Sequence, residues 1–208
     1  MHAVVRIVVM AAACAATAGL AQDGKLGAYK GVVSIAGSEI EKHGKIDYKA
    51  TIKVNLPVTD RSGDLTRAEA GDVEKPSAMA TVTSFELEAR NASPDSDGKI
   101  TSWKCSLAAP TDVPMNAQGA LDVDHRKKKY SMFVALVGMK AVAMKCVNSR
   151  SGAYKDSKQV GFFFGTNPPE AMGSVELPYA DPARLVAKHR MTPPGHVVDM
   201  EWELQLTK

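Results

Sequence analysis

Residues 46–56 read Ile46-Asp47-Tyr48-Lys49-Ala50-Thr51-Ile52-Lys53-Val54-Asn55-Leu56. The apolar residues fall on every second position, and Asp47, Lys49, Thr51, Lys53 and Asn55 lie between them. Successive side chains of a strand point to opposite faces, so this segment has one apolar and one polar face. On a helix the same apolar positions would spread around the whole cylinder. The stretch therefore dictates a strand buried on one side. The C-terminus repeats the pattern: Val198, Met200, Trp202, Leu204 and Leu206 alternate with Asp199, Glu201, Glu203, Gln205 and Thr207.

Strands are also expected at Tyr29–Ala36, Met79–Ala89, Lys99–Leu107, Ala120–Asp124, Tyr130–Val137, Lys140–Val147, Gln159–Phe164 and Ser174–Leu177. Gly138-Met139 reads as the turn of a hairpin, with glycine supplying a positive φ. Asp97-Gly98 is a second turn signal. One helix is expected near the C-terminus. Asp181 suits its cap, Pro182 its first position, and Ala183 to Lys188 its body, with Thr192-Pro193-Pro194-Gly195 as the stop. Asp60–Ala78, Ala108–Gly119 and Asn148–Lys158 read as long loops, with one helical turn at Leu65–Ala70. Ten strands and one short helix imply a mainly β, antiparallel fold, because parallel strands need crossover helices. A sandwich is the first expectation, a barrel or open clam the alternative.

The N-terminal segment MHAVVRIVVMAAACAATAGLA, residues 1–21, reads as an export signal. Arg6 supplies its charge, Ile7 to Ala18 its apolar run, and Gly19 and Ala21 the small residues before a cut at Gln22. The run is shorter than the roughly 20 residues of a spanning helix. Cys14 lacks the large aliphatic residue three positions earlier that a lipoprotein signal carries, since that place holds Ala11. Residues 22–208 then form one β-rich domain in the periplasm or outside the cell. Their 25 basic and 23 acidic residues leave a formal charge of +2, which gives no reason to expect a nucleic-acid partner. No second apolar segment is long enough to span a membrane.

Cys105 and Cys146 remain after the cut, an even pair in an oxidising compartment. A bridge would close a loop of about 42 residues and remove roughly 4 kcal/mol of unfolded-state entropy. They are not spaced as CxxC, and a structural disulfide is the expectation.

His125 is followed by Arg126, Lys127, Lys128 and Lys129, four fixed positive charges in a row. The run can attract a polyanion. It equally suits a solvated turn whose lysines discourage edge pairing, and this reading is preferred. His189, Met191 and His196 put two imidazoles and a thioether on one short segment, a donor set that suits copper. With no carboxylate or cysteine to complete it, a surface loop is the better reading, and no cofactor is expected. Asp95-Ser96-Asp97-Gly98 fails as a calcium loop, because the twelfth position would be Lys104.

No HExxH, GxSxG or SxxK motif occurs. Trp103 and Trp202 share strand faces with apolar residues and read as core anchors. Phe162, Phe163 and Phe164 run consecutively, so at least one faces away from the main core. The first functional expectation is a non-catalytic exported sandwich that binds a protein, glycan or lipid of the cell envelope through its long loops. The alternative is a carrier of a hydrophobic ligand, with Phe162–Phe164, Met132, Met144 and Met200 around a cavity. An extracytoplasmic hydrolase is third.

Overall fold

The computed structural model describes residues 26–42, 44–69, 79–114, 120–136, 141–159, 162–166, 175–192 and 194–208. Residues 1–21, expected to be an export signal, therefore lie outside the described residues. The described residues form fourteen strands and no helix. The first seven are β1 (Ala28–Glu41), β2 (Gly44–Ser62), β3 (Leu65–Glu69), β4 (Met79–Asn91), β5 (Ser102–Leu107), β6 (Thr111–Pro114) and β7 (Ala120–Asp124). The others are β8 (Lys129–Leu136), β9 (Ala141–Asn148), β10 (Gly152–Gln159), β11 (Phe162–Gly165), β12 (Leu177–Pro178), β13 (Arg184–Met191) and β14 (His196–Thr207).

The alternating stretch at 46–56 is the middle of β2, which runs for 19 residues. Its first part lies between β1 and β4, and its last part pairs with β3. Register shifts at Thr51/Ile52 and at Val58/Asp60 interrupt the two ladders. Such bulges bend a strand and sharpen its twist. β2 thus carries the chain from one half of the sheet into the other.

The wide half has the order β10-β9-β5-β4-β2-β1-β14-β13, with β6 on the start of β4. The narrow half continues from the end of β2 through β3, β7 and β8, with β11 and β12 both paired to β8. Every ladder is antiparallel. The sheet is not closed into a barrel. Its halves face each other in the manner of a sandwich. Val33, Ile52, Leu56, Met200, Trp202 and Leu204 from the wide half meet Leu121, Tyr130, Met132, Val134 and Phe164 from the narrow one in a single core. Trp202 Nε1 donates to Tyr130 Oη at 2.9 Å, and the rings of Phe85 and Phe162 meet edge to face at 5.0 Å.

The expected C-terminal helix is a strand. β13 alternates, with Leu185 and Met191 buried and Arg184, Val186, Lys188 and Arg190 exposed. The Asp-Pro start makes a turn instead of a cap. Asp181 Oδ1 accepts from the Ala183 amide at 2.8 Å, and the Asp181 carbonyl accepts from the Arg184 amide at 3.1 Å. What outweighs local helix propensity is β14, whose Glu203, Glu201 and Asp199 bind Arg184, Lys188 and Arg190.

Other corrections have the same non-local origin. Leu65–Glu69 is β3, with no helical turn. Much of the region expected as loops at 60–78, 108–119 and 148–158 is strand, in β2, β3, β6 and β10. β8 and β9 do not form a hairpin: β8 pairs with β7, β11 and β12, whereas β9 pairs with β5 and β10. Gly138 and Met139 lie outside the described residues. The Asp97-Gly98 turn does join β4 to β5, with the Gly98 amide donating to the Asp95 carbonyl at 2.8 Å.

Candidate functional site

Cys105 and Cys146 stand directly opposite on β5 and β9, with Cα atoms 4.0 Å apart and their sulfurs bonded. The ladder explains the match. Backbone bonds join Ser149 to Ser102 and Ala108 to Ala143, so the hydrogen-bonded pairs alternate and 105–146 falls between them. In such non-bonded pairs the side chains are closest. Both cysteines are buried, which gives the bridge a structural setting.

The basic run forms the turn between β7 and β8. Lys127 is bound by Asp124 at 3.4 Å and Glu176 at 3.2 Å, and Glu176 also meets Lys129 at 3.6 Å. The Lys127 amide and ammonium hold the Asp124 carboxyl below its ordinary range, the amide bond acting most. Arg126 and Lys128 are exposed and make no ion pair among the described residues. Half of the charge in the run is thus answered within the chain.

Beside this turn, His125 Nε2 lies 2.8 Å from Thr66 Oγ1, and its Nδ1 lies 3.3 Å from Tyr179 Oη. Tyr179 Oη donates in turn to the Asp124 carbonyl at 3.2 Å. A hydroxyl, an imidazole and an orienting third group resemble a nucleophile and its base. Thr66, however, is only 4% exposed, and its neighbours are the polar tie between β3 and the turn. The arrangement serves structure.

His189 and Met191 lie on β13, and His196 opens β14. In register His189 meets Met200, four residues along β14 from His196. That separation is about 13 Å along the strand, too far for both imidazoles to reach one ion. His189 instead meets the Trp202 ring, and His196 lies 3.5 Å from Glu39. No group of three His, Cys, Asp or Glu residues is placed to hold a metal among the described residues. Asp95 and Asp97 both engage Arg150, so a cation of the chain itself answers that acidic turn.

Phe162, Phe164, Met132, Met144 and Met200 are all buried in the core. Trp202 is fully buried, and Trp103 is half-buried with its ring against Tyr154 at 5.0 Å.

A broad concave feature lies elsewhere, on the outward face of the wide half. A groove of about 1080 Å³ crosses β9, β5, β4, β2, β1 and β14, and a neighbouring hollow of about 540 Å³ extends it over β13. Both share Ala36, Lys49, Arg190 and Asp199. The sequence sets its shape. β1 presents Ser34, Ala36 and Ser38 outward, and on either side β2 and β14 present long charged side chains. Small residues between long ones make a trough.

The charges fall in columns. β13 carries Arg184, Lys188 and Arg190, and β14 carries Glu203, Glu201 and Asp199. Arg190 binds Asp199 through two bonds of 2.7 Å and holds its carboxyl below the ordinary range. Beyond β1, β2 carries Lys45, Lys49 and Lys53, and β4 carries Glu86 and Glu88. Arg90 hydrogen-bonds Glu88 and lowers its carboxyl, and Lys45 does the same for Asp47. Lys49, Lys53, Lys145 and Glu86 make no ion pair among the described residues. Val32, Val147, Val186 and Val197 are also exposed on this face, at 40–50%.

Sequence reasoning looked for a site in loops and missed this face. Its residues were legible as the polar side of each strand, but their grouping depends on strand order. Comparisons with family models, curated proteins and solved structures found no match for the chain.

Proposed function

We propose that the chain is an exported, non-catalytic binding module whose contact surface is the outward groove of the wide half. The observation that carries this is the groove itself, about 1080 Å³ and lined by charged side chains of which several make no ion pair among the described residues. Ligand sites are concave with a few convergent polar groups. Export is supported by the character of residues 1–21 and by the buried Cys105–Cys146 bridge, which suits an oxidising compartment. No helix of the described residues is long and apolar enough to cross a membrane. The binding reading is preferred to that of a hydrophobic carrier because Phe162, Phe164, Met132, Met144 and Met200 are packed in the core.

Native mass spectrometry of the protein purified from its own envelope or medium tests the reading. The expected result is a chain beginning at Gln22, two hydrogens lighter than the reduced form, carrying a component that leaves on denaturation. Ala36→Trp, which fills the trough, should abolish that component while leaving the fold unchanged by circular dichroism. A chain that retains residues 1–21 overturns the export half. A bound component indifferent to Ala36→Trp overturns the assignment of the surface.

A further inference from the structure

We infer that the occupant of the outward groove is a second copy of this chain, docked face to face about a two-fold axis that runs along β1. The inference rests on the binding reading and names its partner.

The order of charge about β1 is self-complementary. Moving outward on one side, the columns are acidic on β14 and then basic on β13. On the other side β2 is basic at Lys45, Lys49 and Lys53 with Asp47 among them, and β4 is acidic at Glu86 and Glu88 with Arg90 at its end. Asp47 lies in the Ser38 row, whose other side holds Val197, so the exchange sets no carboxylate directly against it. A two-fold axis along β1 keeps each cross-strand row in place and exchanges the two sides. Each basic column then meets an acidic one.

The register makes this specific. Ala36 lies opposite Lys49 on one side and Asp199 on the other, and these lie opposite Glu86 and Arg190. In the pair of chains, Lys49 faces Asp199 and Glu86 faces Arg190, a checkerboard of four charges repeated by symmetry. Two outward rows further along, Val32 lies opposite both Lys53 and Glu203, so those two meet. In the row between, Glu201 meets Thr51. Lys49, Lys53 and Glu86, which make no ion pair among the described residues, each gain a partner. On the axis, Ser34, Ala36 and Ser38 are small enough for close approach, and the exposed Val32 meets itself. Lys30, exposed near the end of β1, is the one like-charge meeting on the axis.

Other axes fail. An axis across the strands sets the lysines of β2 on themselves and the acids of β14 on themselves. Moving the axis one half-step, to the β1–β2 seam, sets β14 on β4, acid on acid. Five strands at about 4.8 Å spacing and about seven residues each give a face of roughly 600 Å² per copy. A total near 1,200 Å² is at the low end of stable interfaces. The dimer is therefore expected to be micromolar and weakened by salt.

Sedimentation velocity of residues 22–208 across micromolar concentrations, at low and high salt, is the test. A reversible dimer that weakens with salt is expected. Lys49→Glu should raise Kd at least tenfold, since it sets a new carboxylate against Asp199 twice per dimer. Asp199→Lys should do the same, and the double variant Lys49→Glu/Asp199→Lys should restore association. Circular dichroism shows whether each variant folds. A monomer at every concentration, a dimer indifferent to these changes, or a double variant no tighter than the singles overturns the inference. A monomer that carries another component displaced by Ala36→Trp overturns it and leaves the binding reading standing. A face that neither dimerises nor holds anything overturns both.

Discussion

Thr66, His125, Tyr179 and the Asp124 carbonyl form one chain of hydrogen bonds across the base of the β7–β8 turn. Each member leaves another unsatisfied if removed, and Thr66 is buried, so the cost falls on the folded state alone. Thr66→Val and His125→Ala are each expected to cost about 1–3 kcal/mol in urea unfolding. The double variant should cost less than their sum by at least about 0.5 kcal/mol, because the two share one bond. Strict additivity would show that the bond contributes nothing. Tyr29 gives a pH-dependent counterpart. Its hydroxyl donates to the Pro182 carbonyl at 2.8 Å, and burial pushes its pKa up to about 12. Tyr130 and Tyr48 are raised in the same direction, chiefly by burial. In the unfolded chain tyrosine ionises near pH 10, so the unfolded state loses its proton first. Stability is full below about pH 10 and falls as pH rises toward 12, by roughly 2–3 kcal/mol for Tyr29. Tyr29→Phe should flatten this alkaline loss in urea titrations on either side of pH 10. An unchanged slope would mean that Tyr29 ionises as freely folded as unfolded.

At the scale of elements, β5 and β9 are sealed twice, by their ladder and by the cystine. The sequence separation of 41 residues makes the loop long, and the chain-entropy treatment gives about 4 kcal/mol for its closure. For a domain of this size that corresponds to a fall in Tm of roughly 8–16 °C on replacing both cysteines by alanine. Differential scanning calorimetry reads it directly, and a fall under about 3 °C would put the entropy already lost in a compact unfolded state. The same elements show what was legible beforehand. β2 and β14 could be read because their alternation is long, and Cys105 and Cys146 because they are the two cysteines outside the segment expected to be a signal. β13 could not. Leu185, Ala187 and Met191 alternate too briefly to outweigh a run with good helix propensity, and the acids that decide the matter lie on β14. The hairpin at Gly138 failed for a related reason: nearness in sequence implied pairing, but β8 and β9 belong to opposite halves. The groove shares this origin, since its lysines and acids come together only once seven strands are in order.

The whole molecule is tied by its ends. β1 pairs with β14 from Ala28–Thr207 to Glu39–His196, so the first and last described strands are neighbours inside the wide half. β14 contributes Val198, Met200, Trp202 and Leu204 to the core and is the only described partner of β13. Two consequences follow from one cause. The β1–β14 ladder cannot form until nearly the whole chain is available, and contacts this distant in sequence carry a large closure entropy. Refolding is therefore expected in milliseconds to seconds, in the range of all-β folds, with β14 amides protected no earlier than those of the β4–β5 hairpin in pulsed hydrogen exchange. Deleting residues 196–208 should do more than trim an edge. It leaves β13 without a neighbour, leaves one backbone edge of β1 unpaired, and removes Trp202 together with its bond to Tyr130. The shortened chain should show no cooperative thermal transition. A truncated chain that still unfolds cooperatively, near the Tm of the full one, would mean that the β2-centred strands hold the core without the C-terminal strand, and that the closing ladder is an accessory to the fold.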